Sequence, residues 1–231
     1  MRIKVGVVMD PIDLITPKKD TTLAMLLAVQ RRGWEICYME LGDIVLRDGH
    51  PYGYARNLLV EDSIEDWYEF ASARRRLSLA DLDVVLMRKD PPFDTDYIFA
   101  TYILEQAQAR GCLVVNDPRA LRDANEKLFT AWFNDVCPST LVTRDTAEIR
   151  RFGEECGDII VKPLDGMGGA SIFRVTSGDV NASVIYETLT EHDQRFCMAQ
   201  KYIPEIAAGD KRILMIDGEP IPYALARIPS A

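Results

Sequence analysis

Short apolar runs alternate with amphipathic stretches along the first half of this chain. Ile3-Lys4-Val5-Gly6-Val7-Val8-Met9 is nearly continuous in apolar character and stops at Asp10-Pro11, the pattern of a central parallel strand covered on both faces and ended by proline. Residues 18–33 follow with helical spacing. Asp20 and Thr21 are caps for the start, Leu23, Met25, Leu26, Leu27 and Val29 make an apolar face, and Gly33 after Arg31-Arg32 marks the stop. Residues 34–39 predict a second strand, which completes a β-α-β unit. Turns at Asp48-Gly49 and Pro51-Tyr52-Gly53 predict a small β excursion over residues 41–60, followed by a short helix over 63–70. Residues 83–92 repeat the arrangement of the first strand: apolar run, charge, proline. A helix over residues 94–110 places Ile98, Phe99, Tyr102 and Ile103 on its buried stripe, and residues 112–116 form the next strand. Such alternation predicts one doubly wound parallel α/β domain over residues 1–124.

The pattern changes after residue 124. Asn125-Glu126-Lys127-Leu128-Phe129-Thr130-Ala131-Trp132-Phe133 predicts a short helix with Leu128, Phe129, Trp132 and Phe133 on one face, and Lys127 off that face reads alone as a solvated surface lysine. Strand, helix and strand follow over residues 139–143, 145–156 and 158–162, with Gly157 as the helix stop. A helix over 179–192 and a strand over 195–200 complete an α+β unit spanning residues 125–203. Residues 211–217 and 219–228 flank the turn Asp217-Gly218 and predict a hairpin within a further segment, 204–231.

Between the strand at 158–162 and the apolar run resuming at Ile172 lies the most informative stretch. Lys162 ends the strand, and Gly166, Gly168 and Gly169 follow at once. Glycines let backbone N–H groups approach anionic oxygens with no Cβ in the way, and a lysine adds a point charge on a flexible stem. A polyphosphate cradle and a glycine-rich hairpin with a solvated lysine are both compatible with that stretch alone.

Composition narrows the function classes. A formal charge of −9 disfavours nucleic acid as a partner, because phosphate-backbone binding draws on a basic surface; a small anionic ligand must then meet local cations. Arg74-Arg75-Arg76 reads as a solvated charge run in a loop. Arg88 stands at the carboxyl edge of the expected parallel sheet, where open α/β folds place ligands, with a pair to Asp90 as the structural alternative. The five cysteines are odd in number and hold no C-x-x-C pair, which argues for reduced thiols and against a zinc knuckle. Apolar runs are strand-length, so neither a membrane partner nor an export signal is expected, and the cytoplasm is the expected compartment. His50 and His192 match no catalytic pattern.

Taken together, Val8-Met9-Asp10-Pro11, Met87-Arg88-Lys89-Asp90-Pro91-Pro92-Phe93-Asp94, Asn125-Glu126-Lys127-Leu128, the lysine and glycine hairpin, and Ala226-Arg227-Ile228-Pro229 resemble bacterial glutathione synthetase, an ATP-grasp ligase family, through nearly all 231 residues. The resemblance implies a pre-ATP-grasp substrate domain, an ATP-grasp lid domain and the start of the C-terminal ATP-grasp sheet. It implies ligation of γ-glutamylcysteine to glycine with ATP and Mg²⁺ through an acyl phosphate, and a homo-oligomer. On it, Lys127 and Lys162 contact phosphate, Gly166, Gly168 and Gly169 form the lid, and Gln200, Lys201, Tyr202 and Ile203 form an extended hinge whose free backbone groups read adenine. Arg88, Arg212 and Arg227 are implied as cations for the substrate carboxylates and the acyl phosphate, with Arg212 and Arg227 catalytic. Asp20 is a candidate for the substrate ammonium, although a helix cap explains it equally. The family's metal-holding segment follows the Arg-Ile-Pro motif, so metal ligands are expected beyond residue 231 and none within the chain. Two alternatives stay open at this stage: a truncated, non-catalytic nucleotide-binding or regulatory module, and another ATP-grasp carboxylate–amine ligase.

Overall fold

The strand β1 (Lys4–Met9) is buried from Val5 onward. It leads through α1 (Thr21–Arg31), whose first turn is capped by the Asp20 side chain, to β2 (Glu35–Met39). An antiparallel arm follows: β3 (Ile44–Arg47), the long β4 (His50–Val60), β5 (Tyr68–Phe70) and β6 (Arg75–Ser78). The chain then returns to the sheet with β7 (Val84–Arg88), α2 (Thr95–Gln108), β8 (Leu113–Val115) and α3 (Pro118–Asp123). This is a computed structural model, and it describes residues 2–166 and 169–228. Among those residues no helix is long and apolar enough to cross a membrane.

β2, β1, β7 and β8 pair in parallel in that order, and β4 joins β2 antiparallel with β3, β5 and β6 paired to it. Because side chains alternate along a strand, β1 feeds two cores. Val5, Val7 and Met9 pack with Leu23, Leu26 and Val29 of α1, whereas Val8 packs with Ala100, Leu104 and Ala107 of α2. One helix therefore covers each face, as the doubly wound pattern requires.

Three local expectations fail in this unit. Residues 63–70 form no helix: Ser63 Oγ accepts from the Glu65 N–H at 3.2 Å in a tight bend, and β5 pairs with β4 as Leu58–Phe70 and Val60–Tyr68. Edge-on aromatic packing of Tyr68 and Phe70, centroids 5.4 Å apart, favours the strand. The buried stripe of α2 is Ala100, Thr101, Leu104 and Ala107, while Phe99 and Tyr102 are about half exposed. Small residues let the helix approach the sheet closely, which rotates the aromatics outward. The arginine triplet lies mostly in β6, where Arg74 pairs with Asp43 at 2.5 Å, Arg75 with Glu35 at 3.2 Å, and Arg76 stacks on Tyr52.

A second compact unit comprises residues 130–164 and 169–231. Its strands and helices are β9 (Thr140–Thr143), α4 (Thr146–Cys156), β10 (Ile159–Pro163), β11 (Phe173–Val175), α5 (Ala182–Thr190) and β12 (Cys197–Lys201). The four strands run in the order β11-β10-β12-β9, all antiparallel. Ile159, Val161, Cys197 and Ala199 pack against Ile149 of α4 and Tyr186 and Leu189 of α5. Asp145 caps α4 through the Ala147 N–H, and Gly157 ends it with a φ of 78°.

Residues 210–227 form the hairpin β13 (Asp210–Ile216) and β14 (Glu219–Arg227). Its turn has positive φ at both Asp217 and Gly218, the two-residue geometry that Asp-Gly selects. The expected helix at residues 125–133 is instead a single 3-10 turn, Leu128–Trp132. Trp132 is 67 % exposed and Phe133 48 %, so the apolar face read from the sequence is not buried; a turn this short has no second layer of residues to complete a face.

Candidate active site

At the carboxyl edge of the parallel sheet, β1 and β7 end side by side, with Met9 in register with Arg88. Asp10 ties the two ends together. It pairs with Lys89 at 2.8 Å and accepts the Asp90 N–H at 2.8 Å. Arg88 takes a different route: its Nε donates to Thr22 Oγ1 at 3.1 Å and its Nη2 to Thr21 Oγ1 at 3.0 Å. The Arg88–Asp90 pair that stood as the structural alternative is not formed, and among the described residues Arg88 makes no ion pair. Asp20 Oδ1 accepts from the Leu23 N–H at 2.6 Å, which is the capping role. Asp20 also lines an open cleft of ≈ 440 Å³ with Asp10, Thr16, Lys19 and Asp90, and no bond in the structure distinguishes a ligand role for it.

Lys127 is not a solvated lysine. Its side chain is only 13 % exposed, pairs with Glu126 at 2.8 Å, and donates to the Gly166 carbonyl. Asn125 shapes this corner by accepting from the Lys127 and Leu128 N–H groups through its side-chain oxygen, at 3.1 and 2.9 Å. Lys127 and the first glycine of the loop are thus in contact. Gly168 lies outside the described residues. Gly169 has φ +81°, a left-handed conformation that favours glycine, with open space where a Cβ would stand.

Lys162 sits on the sheet face opposite the α4–α5 core. Its Nζ donates to Gln200 Oε1 at 2.7 Å, and Gln200 Nε2 donates to Thr140 Oγ1 at 2.9 Å. Lys162, Gln200 and Thr140 lie on β10, β12 and β9, so a polar chain crosses three neighbouring strands. The family resemblance implies only a hinge role for Gln200. Cys197 and Ala199 face the α4–α5 core and Gln200 lies on the other face, but the continuous apolar run Cys197-Met198-Ala199 hid that alternation in the sequence.

The hinge differs from expectation. Gln200 and Lys201 belong to β12, Lys201 N–H donates to Ser139 O at 2.9 Å, and Tyr202 N–H donates to Asp158 O at 2.9 Å. Those two N–H groups are therefore committed to the sheet, because the ladder runs one residue further than the sequence suggested. Tyr202 also stacks beneath Arg174, whose guanidinium lies 4.0 Å from the ring centroid and pairs with Asp158. Ile203 precedes a 3-10 turn and is half exposed.

On the hairpin, the register sets Asp210 opposite Arg227 and Arg212 opposite Leu225, so both arginines and Asp210 share one face. Arg227 binds Asp210 bidentately, with Nε to Oδ1 at 2.7 Å and Nη2 to Oδ2. The pair holds the Asp210 carboxyl below its ordinary value, first through Arg227 and more weakly through the charge of Arg212. Asp210 is thus the counterion of Arg227 on this face.

Within each of the two units, cations of this kind can position anionic groups and neutralise them. Residues 3–122 match the N-terminal domain of prokaryotic glutathione synthetase, and residues 126–231 match its ATP-grasp domain. The chain belongs to the prokaryotic glutathione synthetase family. Glutathione synthetase of Escherichia coli strain K12 is 61% identical to it over 227 residues, covering 98% of this chain and 72% of that enzyme. The Yersinia pestis enzyme is 60% identical over 228 residues, covering 99% and 71%. Among solved structures, a D-cycloserine synthetase aligns with a TM-score of 0.62 at 14% identity over 98% of this chain and 72% of its own. D-alanyl-alanine synthetase A from Vibrio cholerae gives 0.59 at 11% identity over 100% and 69%. At such low identity these two likenesses concern the fold, whereas the family match carries Lys127, Lys162 and Arg227 inside its ATP-grasp segment and Arg88 inside its N-terminal one.

Proposed function

We propose that the protein is an ATP-grasp carboxylate–amine ligase that joins γ-glutamylcysteine to glycine. The terminal carboxylate of the dipeptide attacks the γ-phosphorus of ATP and ADP leaves; the glycine amine then attacks the acyl carbon, the acyl–oxygen bond to phosphate breaks, and the amine loses its proton to solvent. No enzyme nucleophile enters these steps, so catalysis is positioning and charge neutralisation. The observation that carries the reading is Lys162, held by an amide at the end of β10 immediately before the glycine loop, within a chain 61% identical to a glutathione synthetase. In this reading Lys127 and Lys162 meet the phosphates, the segment holding Gly166, Gly168 and Gly169 covers them, and residues 200–203 border the adenine. Arg88, Arg212 and Arg227 take the carboxylates and the acyl phosphate. Magnesium, which this chemistry uses with ATP, finds no fitting set here: among the described residues no group of three or more His, Cys, Asp or Glu could hold a metal ion.

ADP release with ATP, Mg²⁺, γ-glutamylcysteine and glycine tests the proposal. Release that depends on both amino components supports it. ATP binding without dipeptide-dependent ADP release would reject it in favour of a nucleotide-binding module.

A further inference from the structure

Arg88 is fixed by neutral oxygens where carboxylates stand close in sequence and structure. Asp10, at the end of the adjacent strand, is bound to Lys89 and to the Asp90 N–H. Asp20, in the same turn as the threonines, caps α1 through the Leu23 N–H. Thr21 and Thr22 instead hold the guanidinium through its Nε–Nη2 edge, at 3.0 and 3.1 Å. A hydroxyl orients a guanidinium without cancelling its charge. Of the five N–H donors on that group, these bonds use two on one edge; the Nη1–Nη2 edge retains the parallel donor pair that matches a carboxylate. Thr22 is 5 % exposed, so its hydroxyl is locked within the protein.

We infer that Thr21 and Thr22 are positioning residues that aim the outer edge of Arg88 at a carboxylate of the peptide substrate. The inference rests on the ligase reading above and deepens it by naming what sets the cation's direction. The threonines lie in the first turn of α1 and Arg88 at the end of β7, so the alignment joins two separate elements of the fold. Replacing either hydroxyl by an isosteric methyl leaves the charge in place and removes its guide.

The test compares T21V, T22V, T22S and R88A in the full-length protein, measuring KM for γ-glutamylcysteine, KM for ATP, kcat and thermal melting. T22V and T21V are expected to raise the dipeptide KM about tenfold, equivalent to one charge-assisted bond, with the ATP KM unchanged. T22S keeps the hydroxyl and is expected to restore the dipeptide KM. R88A raising that KM while T21V and T22V leave it within about twofold of the parent overturns the positioning role alone. An R88A variant with an unchanged dipeptide KM removes Arg88 from substrate binding, and with it both the assignment and the inference. Should T22V melt far below the parent, T21V, at an exposed position, decides between the same outcomes.

Discussion

Replacing Gly53 by alanine would set a methyl carbon 2.3 Å from Met39 Sδ and 2.9 Å from Leu79 Cδ2. Gly53 pairs with Ile44 and Leu77 in the middle of the antiparallel arm, and no left-handed φ restricts it, so the effect is one of volume rather than backbone strain. Met39 and Leu79 are both fully buried, which leaves the methionine no route to solvent. Overpacking of this kind costs about 1–3 kcal/mol. Met39→Ala alone empties a packed site and costs about 2–5 kcal/mol. In the double variant the new methyl fills part of the space the methionine leaves, so the two effects should fall short of their sum by at least about 1 kcal/mol. Urea unfolding followed by the fluorescence of Trp34 and Trp67, both in the same unit as the substitutions, measures each midpoint at constant m-value. Additivity within about 0.5 kcal/mol, or an unshifted midpoint for Gly53→Ala, would refute the close approach of β4 to Met39.

Lys162→Ala should abolish measurable nucleotide binding by calorimetry, while Gln200→Leu, which leaves the ammonium but removes its guide, should weaken ATP affinity about tenfold. Asp20→Ala should lower stability by about 1 kcal/mol through the lost cap, and Asp20→Ser should recover most of it; a dipeptide KM that rises in Asp20→Ser would show that the carboxylate has a ligand role beyond the cap. Burial pushes the thiols of Cys37, Cys112 and Cys197 up to about 11, so at pH 8 mass spectrometry should find iodoacetamide on Cys137 and Cys156 first and on those three only after unfolding. Because the Arg227 bond lowers the Asp210 carboxyl, its stabilisation is present at neutral pH and is lost only as pH falls through that lowered value. Arg227→Gln should return the Asp210 titration, followed by carboxyl NMR, toward 3.8.

The parallel sheet was legible because its strands are apolar on both faces and its helices begin at Asp20 and Asp94 and end near glycine. Sequence periodicity failed where packing chose among several apolar candidates. In α2 it selected Phe99 and Tyr102, whereas Ala100, Thr101, Leu104 and Ala107 form the buried side. At residues 63–70 the pairing of Tyr68 and Phe70 with Val60 and Leu58 of β4 outweighed a weak helical spacing. For the site, charged residues at strand ends and beside glycines stood out, whereas the neutral groups that hold them did not. Thr22, Gln200 and Thr140 carry no charge and match no motif, and their bonds to Arg88 and Lys162 join residues 66, 38 and, through Gln200, a further 60 positions apart.

The polar chain from Lys162 through Gln200 to Thr140 ties the lysine to the sheet. The ammonium's bond to Gln200 is written into the pairing of three strands, so a residue inserted into or removed from the glycine loop leaves unchanged the register that makes that bond. A slip of β12 by one residue would do the reverse, turning Gln200 to the other face and losing the cation's hold with every loop residue intact. The register of β9, β12 and β10 is therefore the part of the fold on which the bond between Lys162 and Gln200 depends.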